Sequence, residues 1–272
     1  MHMSIQPLYP NASESRSLKN TYLSLNLHQQ ASANDVLIYA NYIASLDGRI
    51  ALRHGETGDF CVPQSIANKR DWRLYQELAA QSGIMLTSAR YFRQLEKGCA
   101  QDLLPVGQEK AYQDLAVWRE MQGLKAQPDI MIVSASLDIP LSALQSLEGR
   151  KIYIITVKSA DEHRKQALQD MGAQVLVTVG DRVDGMAIKT HLVAQGYRSA
   201  YMIAGPAVHQ TLLAAGVLNR LFLTTHLSLL AQNDFHTILQ GDMQPVALSL
   251  RSLYLDNIGG QMFGQYDITE KV

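Results

Sequence analysis

The chain of 272 residues is predicted to form an α/β domain built on a mostly parallel sheet with flanking helices. From residue 35 onwards, short runs rich in β-branched and aromatic residues alternate with stretches whose apolar residues recur at helical spacing. Gly172 and Gly196 follow two of the helical stretches, where a helix end needs a left-handed residue. We predict a single domain over 34–272, preceded by a polar extension at 1–33 that is partly disordered or packs late.

The first half of the chain predicts two strands and three helices. Residues 36–44 form an apolar run that indicates a buried strand, and 84–87 indicate a second, shorter one. Helices are predicted at 63–80, from 89 onwards with Ser88 as its N-cap, and at 112–121. The stretch 97–126 around this last helix has no clear place in the α/β alternation.

The second half continues the alternation and ends in strands. Strands are predicted at 129–133, 151–157, 174–178 and 199–203, and helices at 161–171, 185–195 and 206–215. A long β-rich run follows at 217–230. The last two strands, at 246–255 and 260–266, are expected to close the sheet as antiparallel edge strands.

Composition restricts the class of partner. There are 24 Lys and Arg against 25 Asp and Glu, and the formal net charge of −1 argues against nucleic acid or an anionic membrane as a partner. No apolar segment is long enough to cross a bilayer, and no secretory signal is present, so we expect a cytoplasmic protein. The two cysteines and scattered histidines have no metal-ligand spacing, so no metal site is expected.

The end of the first predicted strand offers polar groups where ligands commonly bind. In an open α/β sheet, ligands occupy the crevice beyond the carboxyl ends of the strands. Ser45 and Asp47 are expected to project there, and Gly48 allows the tight bend that follows. The alternative is an ordinary turn, because Asp-Gly is among the commonest turn dipeptides.

A second strand-to-helix turn is a candidate anion site. Gly205 permits close approach of a ligand, Pro206 begins a helix, and the amides of Ala207 and Val208 are expected to point outward. His209, in the first helical turn, is placed to face a bound cofactor. A dinucleotide pyrophosphate would fit, although the same pattern is common as a purely structural turn. Neither the G-x-G-x-x-G fingerprint nor the P-loop is present.

The turn after the second strand is the other candidate phosphate site. Thr87 and Ser88 supply hydroxyls, and Arg90 supplies a guanidinium suited to the extra phosphate of NADP. An equally weighted alternative is a solvated helix face on which Arg93 pairs with Glu96.

Four motifs, in order, resemble one known family. They are A-S-L-D-G-R-I-A at 44–51, G-E-T at 55–57, L-A-A-Q-S-G-I-M-L-T-S at 78–88, and A-G-P-A-V-H-Q-T-L-L-A-A-G-V-L-N-R-L at 204–221. Together they resemble the reductase half of the bifunctional riboflavin-biosynthesis deaminase/reductase. The His-x-Glu and Pro-Cys-x-x-Cys signature of the zinc deaminase half has no counterpart.

The resemblance implies a fold, a cofactor and an activity. It implies a dihydrofolate-reductase-like fold, NADPH as cofactor, and reduction of the ribosyl group of 5-amino-6-(5-phosphoribosylamino)uracil, a small heterocyclic substrate. It also implies a homodimer. Carried over by motif, 205–211 correspond to the cofactor loop, Thr57 to a substrate contact, and Ile43 and Asp47 to the strand beside the nicotinamide. We nominate Asp47 as the acid or electrostatic group near the reacting carbon.

The sequence also departs from the family pattern on the substrate side. Ile203 stands where the family often has Glu, and Ala79 where it often has a phosphate-binding Arg. Lys69, Arg70 and Arg73 are candidates to replace the lost cation, with Arg73 assigned to the substrate, or they are simply solvated. Two alternatives therefore remain: a reductase of the same fold with another pterin-like or pyrimidine-like substrate, and a non-catalytic nucleotide-binding relative.

Overall fold

A single large sheet forms the centre of the molecule. The computed structural model describes residues 4–55, 58–98, 100, 105–147 and 149–269. Within these, eleven strands form one sheet in the order β2-β1-β13-β14-β11-β3-β10-β6-β7-β8-β9. Its strands are β1 (Ser4–Tyr9), β2 (Arg16–Ser17), β3 (Leu37–Ser45), β6 (Ile84–Ser88), β7 (Asp129–Val133), β8 (Ile152–Val157), β9 (Gln174–Thr178), β10 (Ser199–Met202), β11 (Arg220–His226), β13 (Leu248–Asp256) and β14 (Gln261–Ile268).

Helices cover both faces of this sheet. The neighbouring strands β11, β3, β10, β6, β7, β8 and β9 pair in parallel. On the other side of β11, strands β14, β13, β1 and β2 extend the sheet by antiparallel pairing. This arrangement is the predicted α/β class with a mostly parallel centre and antiparallel C-terminal strands. The helices are α1 (Lys69–Ala80), α2 (Ala89–Glu96), α3 (Gln113–Met121), α4 (Leu141–Leu144), α5 (Glu162–Asp170), α6 (Gly185–Ala194) and α7 (Pro206–Ala214).

Strand β3 shows why two cores form. Its side chains alternate between the faces of the sheet, as the period of two in a strand requires. Tyr39 stacks on Tyr201 at a centroid distance of 5.1 Å and belongs to the core beneath α1, where its hydroxyl donates to the Leu78 carbonyl at 2.8 Å. Ile38 and Ala40 belong to the opposite core, beneath α6 and α7. Because both faces are buried, the strand reads as a nearly continuous apolar run.

Most predicted elements are present, with shifted ends. The helix expected from 63 begins only at Lys69, because Asn68 takes the N-cap position and its side chain accepts from the amides of Arg70 and Asp71, each at 3.0 Å. Ser88 occupies the N-cap of α2 as predicted but makes no side-chain capping bond. Gly172 and Gly196 have φ of +87° and +78°, which confirms their left-handed conformation.

The N-terminal segment is integral to the domain, contrary to the expectation of a partly disordered or late-packing extension. Strand β1 pairs with β13, so the C-terminal strands do not form the sheet edge that was predicted for them. Leu18 and Leu27 are fully buried in the α1-side core. The prediction failed because 1–33 is polar overall, and its few buried apolar residues pack on partners that are distant in sequence.

A second, three-stranded sheet was also missed. It joins β12 (Phe235–His236), β4 (Ala51–Arg53) and β5 (Phe60–Cys61) in that order, antiparallel. Strands of two or three residues are too short for a periodic pattern, so nothing local in the sequence indicates them. This small sheet forms one wall of the cleft described below.

One buried carboxylate anchors the N-terminal segment. Glu77 on α1 is fully buried and accepts from the amides of Asn20 at 2.6 Å, Tyr22 at 2.9 Å and Leu23 at 3.3 Å, while Arg73 Nε donates to it at 2.8 Å. A buried carboxylate needs such partners, because desolvation of the charge is otherwise unfavourable.

We predict that Glu77→Gln lowers the free energy of unfolding by about 1–3 kcal/mol, because a neutral amide cannot accept from all three backbone amides and Arg73 Nε as the carboxylate does, while Arg73 keeps its bonds to Asp114. Urea denaturation measures this. The control is Glu162→Gln, which removes an exposed pair with Lys165 and is expected to cost less than about 0.5 kcal/mol. Equal losses in the two variants would contradict the anchoring role.

Candidate active site

Several of the predicted site residues meet at the carboxyl ends of β3, β6 and β10, which are adjacent in the sheet. They are Ile43, Thr87, Ser88, Arg90, Gly205 and Pro206. We call the cavity there the inner cleft. The two central strands are also tied together, because the Tyr42 hydroxyl donates to the Ala204 carbonyl at 3.1 Å. The lining residues are Asn41, Tyr42, Ile43, Ile50, Ala51, Phe60, Val62, Ala67, Asp71, Trp72, Tyr75, Thr87, Ser88, Arg90, Tyr91, Gln94, Ile203, Ala204, Gly205, Pro206 and His236.

Two stacked aromatic pairs belong to this lining. Trp72 and Tyr75 on α1 lie with ring centroids 4.5 Å apart and planes 10° from parallel. Phe60 and His236 of the small sheet lie 3.7 Å apart at 13°. Flat aromatic surfaces favour a flat ring as ligand, because stacking buries both faces at low entropy cost.

Charged and polar side chains also reach the inner cleft. Asp71 on α1 is mostly buried, and Arg90 on α2 donates from Nη2 to the Phe60 carbonyl. Asn41 lies within β3, in a strand whose neighbours are otherwise buried and largely apolar. The cleft thus combines aromatic walls with a few convergent polar groups, which is the usual composition of a small-molecule site.

The turn between β10 and α7 has an open backbone. Gly205 has φ of −71° and ψ of −176°, a conformation that any residue adopts, and a Cβ placed on it would meet only Arg90 Nη1 at 3.8 Å. The amide of Ala207 donates to no group among the described residues. The amide of Val208 is instead used within the turn, where it donates to the Gly205 carbonyl at 3.2 Å, so its predicted outward position is wrong.

A second cavity, the outer groove, lies along α7 and the N-terminus of α6 and continues from the inner cleft. Ser88 lines both, and Pro206 in the cleft is followed directly by Ala207 in the groove. Two helix N-termini therefore meet at the junction, because Ser88 caps α2 and Gly205 caps α7. The groove is lined by Ser88, Val133, Ala135, Asp181, Arg182, Val183, Asp184, Gly185, Ala207, Val208, Gln210, Thr211, Leu213, Ala214, Ala215, Asp242, Met243 and Gln244.

His209 faces the protein interior rather than either cavity. It is 1% exposed, its Nδ1 lies 2.8 Å from the Ile238 carbonyl, and its ring packs on Tyr42 at 5.0 Å. Burial lowers the pKa of His209, so the imidazole is neutral at pH 7 and donates from Nδ1. The prediction that it faces a cofactor is wrong, because the first turn of α7 points this side chain into the core.

The bend after β3 lies at the same sheet edge as the Gly205 turn, but Ser45 and Asp47 do not line the cleft. Ser45 is 1% exposed, and its hydroxyl donates to Asp47. Asp47 also accepts from Arg49 and from the amides of Leu230 and Ala231 at 3.2 and 3.1 Å. These two residues therefore hold the loop after β11, which corrects their predicted substrate-binding and catalytic positions.

Two of the three basic residues proposed as phosphate ligands, Arg70 and Arg73, are already engaged, whereas Lys69 is exposed. Arg73 is 3% exposed and binds Glu77 and Asp114, the latter with both terminal nitrogens at 2.8–3.0 Å. Arg70 binds Asp256 at 2.6 Å. The prediction that Arg73 contacts substrate is wrong, because α1 turns this face toward α3. Thr57 lies outside the described residues.

Among the cleft residues that were not identified from the sequence, four carry an amide, carboxylate or imidazole group: Asn41, Asp71, Gln94 and His236. Asn41 could have been identified from the sequence, because a polar residue is unusual inside a buried, apolar strand. Asp71 and Gln94 are hidden in amphipathic helical patterns that read as solvated faces. His236 had no local signal, because its position depends on strand pairing with Ala51 across almost two hundred residues.

The described part of the chain has neither a metal cluster nor a membrane-spanning helix. No three His, Cys, Asp or Glu side chains there lie together as a metal site would require. None of the helices there is long and apolar enough to traverse a bilayer.

Fold and cleft together define an α/β protein with two adjoining cavities at the carboxyl edge of its parallel strands. The model of the RibD C-terminal domain matches residues 36–261. The chain therefore belongs to the RibD C-terminal domain family, which confirms the resemblance inferred from its motifs. The sheet described above confirms the predicted α/β class with a mostly parallel centre.

Several solved structures have the same fold. A pyrimidine reductase-like protein of Corynebacterium diphtheriae has a TM-score of 0.70 at 19% identity, over 92% of this chain and 100% of its own. The riboflavin biosynthesis reductase of Saccharomyces cerevisiae gives 0.57 at 14%, over 92% and 99%. RibD of Acinetobacter baumannii gives 0.62 at 18%, over 88% of this chain but 59% of its own. A sequence comparison with curated proteins gave no significant match.

The Asp47 contacts predict a specific pH dependence of stability. The Ser45 hydroxyl and then the amides of Ala231 and Leu230 and the charge of Arg49 outweigh desolvation and lower the pKa of Asp47 from 3.8 to about 2. A carboxylate with a lowered folded-state pKa stabilises the fold above its unfolded pKa, and this contribution disappears as pH falls from about 4 to about 2.

We therefore expect wild type to melt at a higher temperature than Asp47→Asn by a constant margin between pH 5 and 8. The margin should shrink below about pH 4, because the amide does not titrate. Differential scanning calorimetry at several pH values measures both. A margin that does not change down to pH 2.5 would contradict the assigned contacts.

Proposed function

We propose that the protein is an NADPH-dependent reductase acting on a pyrimidine intermediate of riboflavin biosynthesis, with 5-amino-6-(5-phosphoribosylamino)uracil as the substrate. The observation that carries this proposal is the junction between the inner cleft and the outer groove, where the N-termini of α2 and α7 meet. Family membership and the reductases among the structural relatives support the same activity.

The two cavities suit the shape of a dinucleotide. A reduced nicotinamide is a flat ring that suits the inner cleft, and an adenosine suits the longer outer groove. The pyrophosphate between them would lie at the junction, where helix dipoles favour negative charge. The surroundings of Gly205 support this fit. Its backbone conformation does not require glycine, and the space that a side chain would fill is open and available to a ligand.

The chain's own residues would orient the cofactor. The Ala207 amide would donate to the pyrophosphate, and the Arg90 guanidinium beside Gly205 would balance its charge. Ile43 and Ile203 would form an apolar surface that keeps water from the nicotinamide. Bound there, NADPH would supply a hydride to the sugar carbon of the substrate, and the proton that completes the reduction would come from water.

The substrate ring would occupy the remaining space between the two aromatic pairs. Asp71 and Asn41 would contact its polar edge, since both line the inner cleft. Asp47 would not act as the acid: it is ionised across the physiological range and its oxygens are bound to other groups. Catalysis would then depend chiefly on positioning of the two reactants.

The assignment of Arg90 to the extra phosphate of NADP is revised in this proposal. Arg90 lies on the inner cleft, beside the Gly205 turn and bound to the Phe60 carbonyl. Arg182 lines the outer groove, where the adenosine end would lie. The homodimer implied by the resemblance stays a prediction, to be measured by sedimentation.

We expect wild type to oxidise NADPH when the aminouracil substrate is added, and Gly205→Val to lose NADPH binding at least a hundredfold. The branched side chain would fill the space meant for the pyrophosphate. Because Gly205 is not conformationally strained, the variant should keep its melting temperature within a few degrees. Substrate-dependent absorbance at 340 nm and calorimetric titration measure these effects.

The outcomes separate the alternatives. Turnover of another pyrimidine or pterin but not of the aminouracil would favour the same-fold reductase with a different substrate. Tight NADPH binding without turnover of any pyrimidine or pterin would favour a non-catalytic relative. Unchanged NADPH affinity in Gly205→Val would show that the turn is structural only.

The two arginines should affect cofactor choice differently. Arg182→Ala is expected to weaken NADPH about tenfold and NADH little, because only NADPH carries the extra phosphate. Arg90→Ala is expected to weaken both cofactors about equally, because the pyrophosphate is common to them. Dissociation constants for both cofactors test this, and selective loss of NADPH in Arg90→Ala would restore the original assignment.

A further inference from the structure

We propose that His236 is a specificity-determining residue of the inner cleft, whose Nε2–H donates a hydrogen bond to a carbonyl oxygen of the flat heterocyclic substrate. Asp47 is its positioning residue. The inference rests on the proposed function for the identity of the substrate, but the placement and protonation of His236 follow from the structure alone.

The small sheet holds His236 in the wall of the cleft. Strand β12 pairs with β4, where His236 lies opposite Ala51, and the Ile50 amide donates to the His236 carbonyl at 2.8 Å. The imidazole stacks on Phe60, and both rings line the inner cleft. Backbone pairing and ring stacking together fix the plane of the imidazole.

The two ring nitrogens have different surroundings. Nδ1 is buried and has no hydrogen-bond partner among the described residues, so Nε2 is the nitrogen that a ligand can reach. A buried N–H without an acceptor is rarer than an under-satisfied acceptor. Nδ1 therefore carries the lone pair, and Nε2 carries the proton and presents it to the cleft.

The ring is uncharged at neutral pH. Burial, and then the positive charge of Arg90, lower the pKa of His236 from 6.5. A neutral N–H donor matches a neutral acceptor such as the carbonyl oxygen of a pyrimidine ring. Its hydrogen bond discriminates between rings that carry an oxygen at this position and rings that do not.

Asp47 sets the position of this strand through the preceding loop. Its carboxylate accepts from the amides of Leu230 and Ala231, and it also binds Arg49. Arg49 in turn donates from Nε to the Gln232 carbonyl at 3.1 Å and lies over the Phe235 ring at 4.2 Å. These contacts run along the chain from residue 230 to the residue before His236.

This connection gives Asp47 a function without contact to the substrate. The bend at the end of β3 and the loop after β11 are joined through one carboxylate, so the end of the central strand determines where β12 begins. Loss of the charge on Asp47 should loosen the loop and displace the imidazole, while β3 itself stays in the sheet.

The first experiment compares two substitutions of His236. His236→Phe keeps an aromatic ring on Phe60 but removes the donor, and His236→Gln keeps a side-chain N–H donor. We expect the Phe variant to raise KM for the aminouracil three- to tenfold, as loss of one neutral hydrogen bond implies, with NADPH affinity unchanged. The Gln variant should recover part of this loss. Equal KM values for wild type and His236→Phe would overturn the proposal.

The second experiment tests the positioning role with a double-mutant cycle. Asp47→Asn should raise KM in the wild-type background but not in the His236→Phe background, because the group it positions is then gone. Asp234→Asn, in the same loop but in an exposed pair with Arg53 at 3.6 Å, is the matched control and should not change KM. Additive effects of the Asp47 and His236 substitutions would overturn the positioning role.

A third measurement does not depend on turnover. Nitrogen-15 NMR of histidine-labelled protein, with the His236 signals identified from the spectrum of His236→Gln, should show a neutral ring protonated at Nε2. A ring protonated at Nδ1 would overturn the proposal even if the enzyme is active. If wild type does not reduce the aminouracil but His236 has the expected protonation, the proposed function fails and the assignment of the donor stands.

Discussion

The parallel pairing of β3 with β10, and of β10 with β6, is the constraint on which the rest of the structure depends. Parallel strands end at the same edge of a sheet, so this pairing brings the segments after Ser45, Ser88 and Met202 together. Each of these segments is short, and two of them begin helices. The inner cleft and the outer groove exist because these chain ends converge there.

The polar side chains of the molecule divide into two groups with different functions. The carboxylates of Asp47, Glu77 and Asp256 accept hydrogen bonds from backbone amides or arginines and hold distant segments of the chain together. Asn41 and Asp71 instead line the inner cleft. A residue that looks chemically apt in a motif can belong to the first group, because a buried charge must find partners wherever it lies.

The electrostatics of the site follow from backbone as much as from side chains. Two helix N-termini meet at the junction of the cavities, and neither has a side-chain cap. The Ala207 amide, which donates to no group among the described residues, and the two helix dipoles favour negative charge there. The small antiparallel sheet adds aromatic and imidazole surfaces to the inner cleft.

The sequence by itself determined the α/β class, most helices and strands of 36–268, the family, and the two turns at 87–90 and 205–207, because periodicity, glycine placement and short motifs are local signals. The tertiary structure alone decided which side chains face the cleft. Ser45, Asp47 and His209 were nominated from their positions in motifs and Arg73 as a replacement for a missing cation, but non-local partners turn them elsewhere. His236 enters the cleft through a strand pair with Ala51, and sequence spacing carries no information about such a contact.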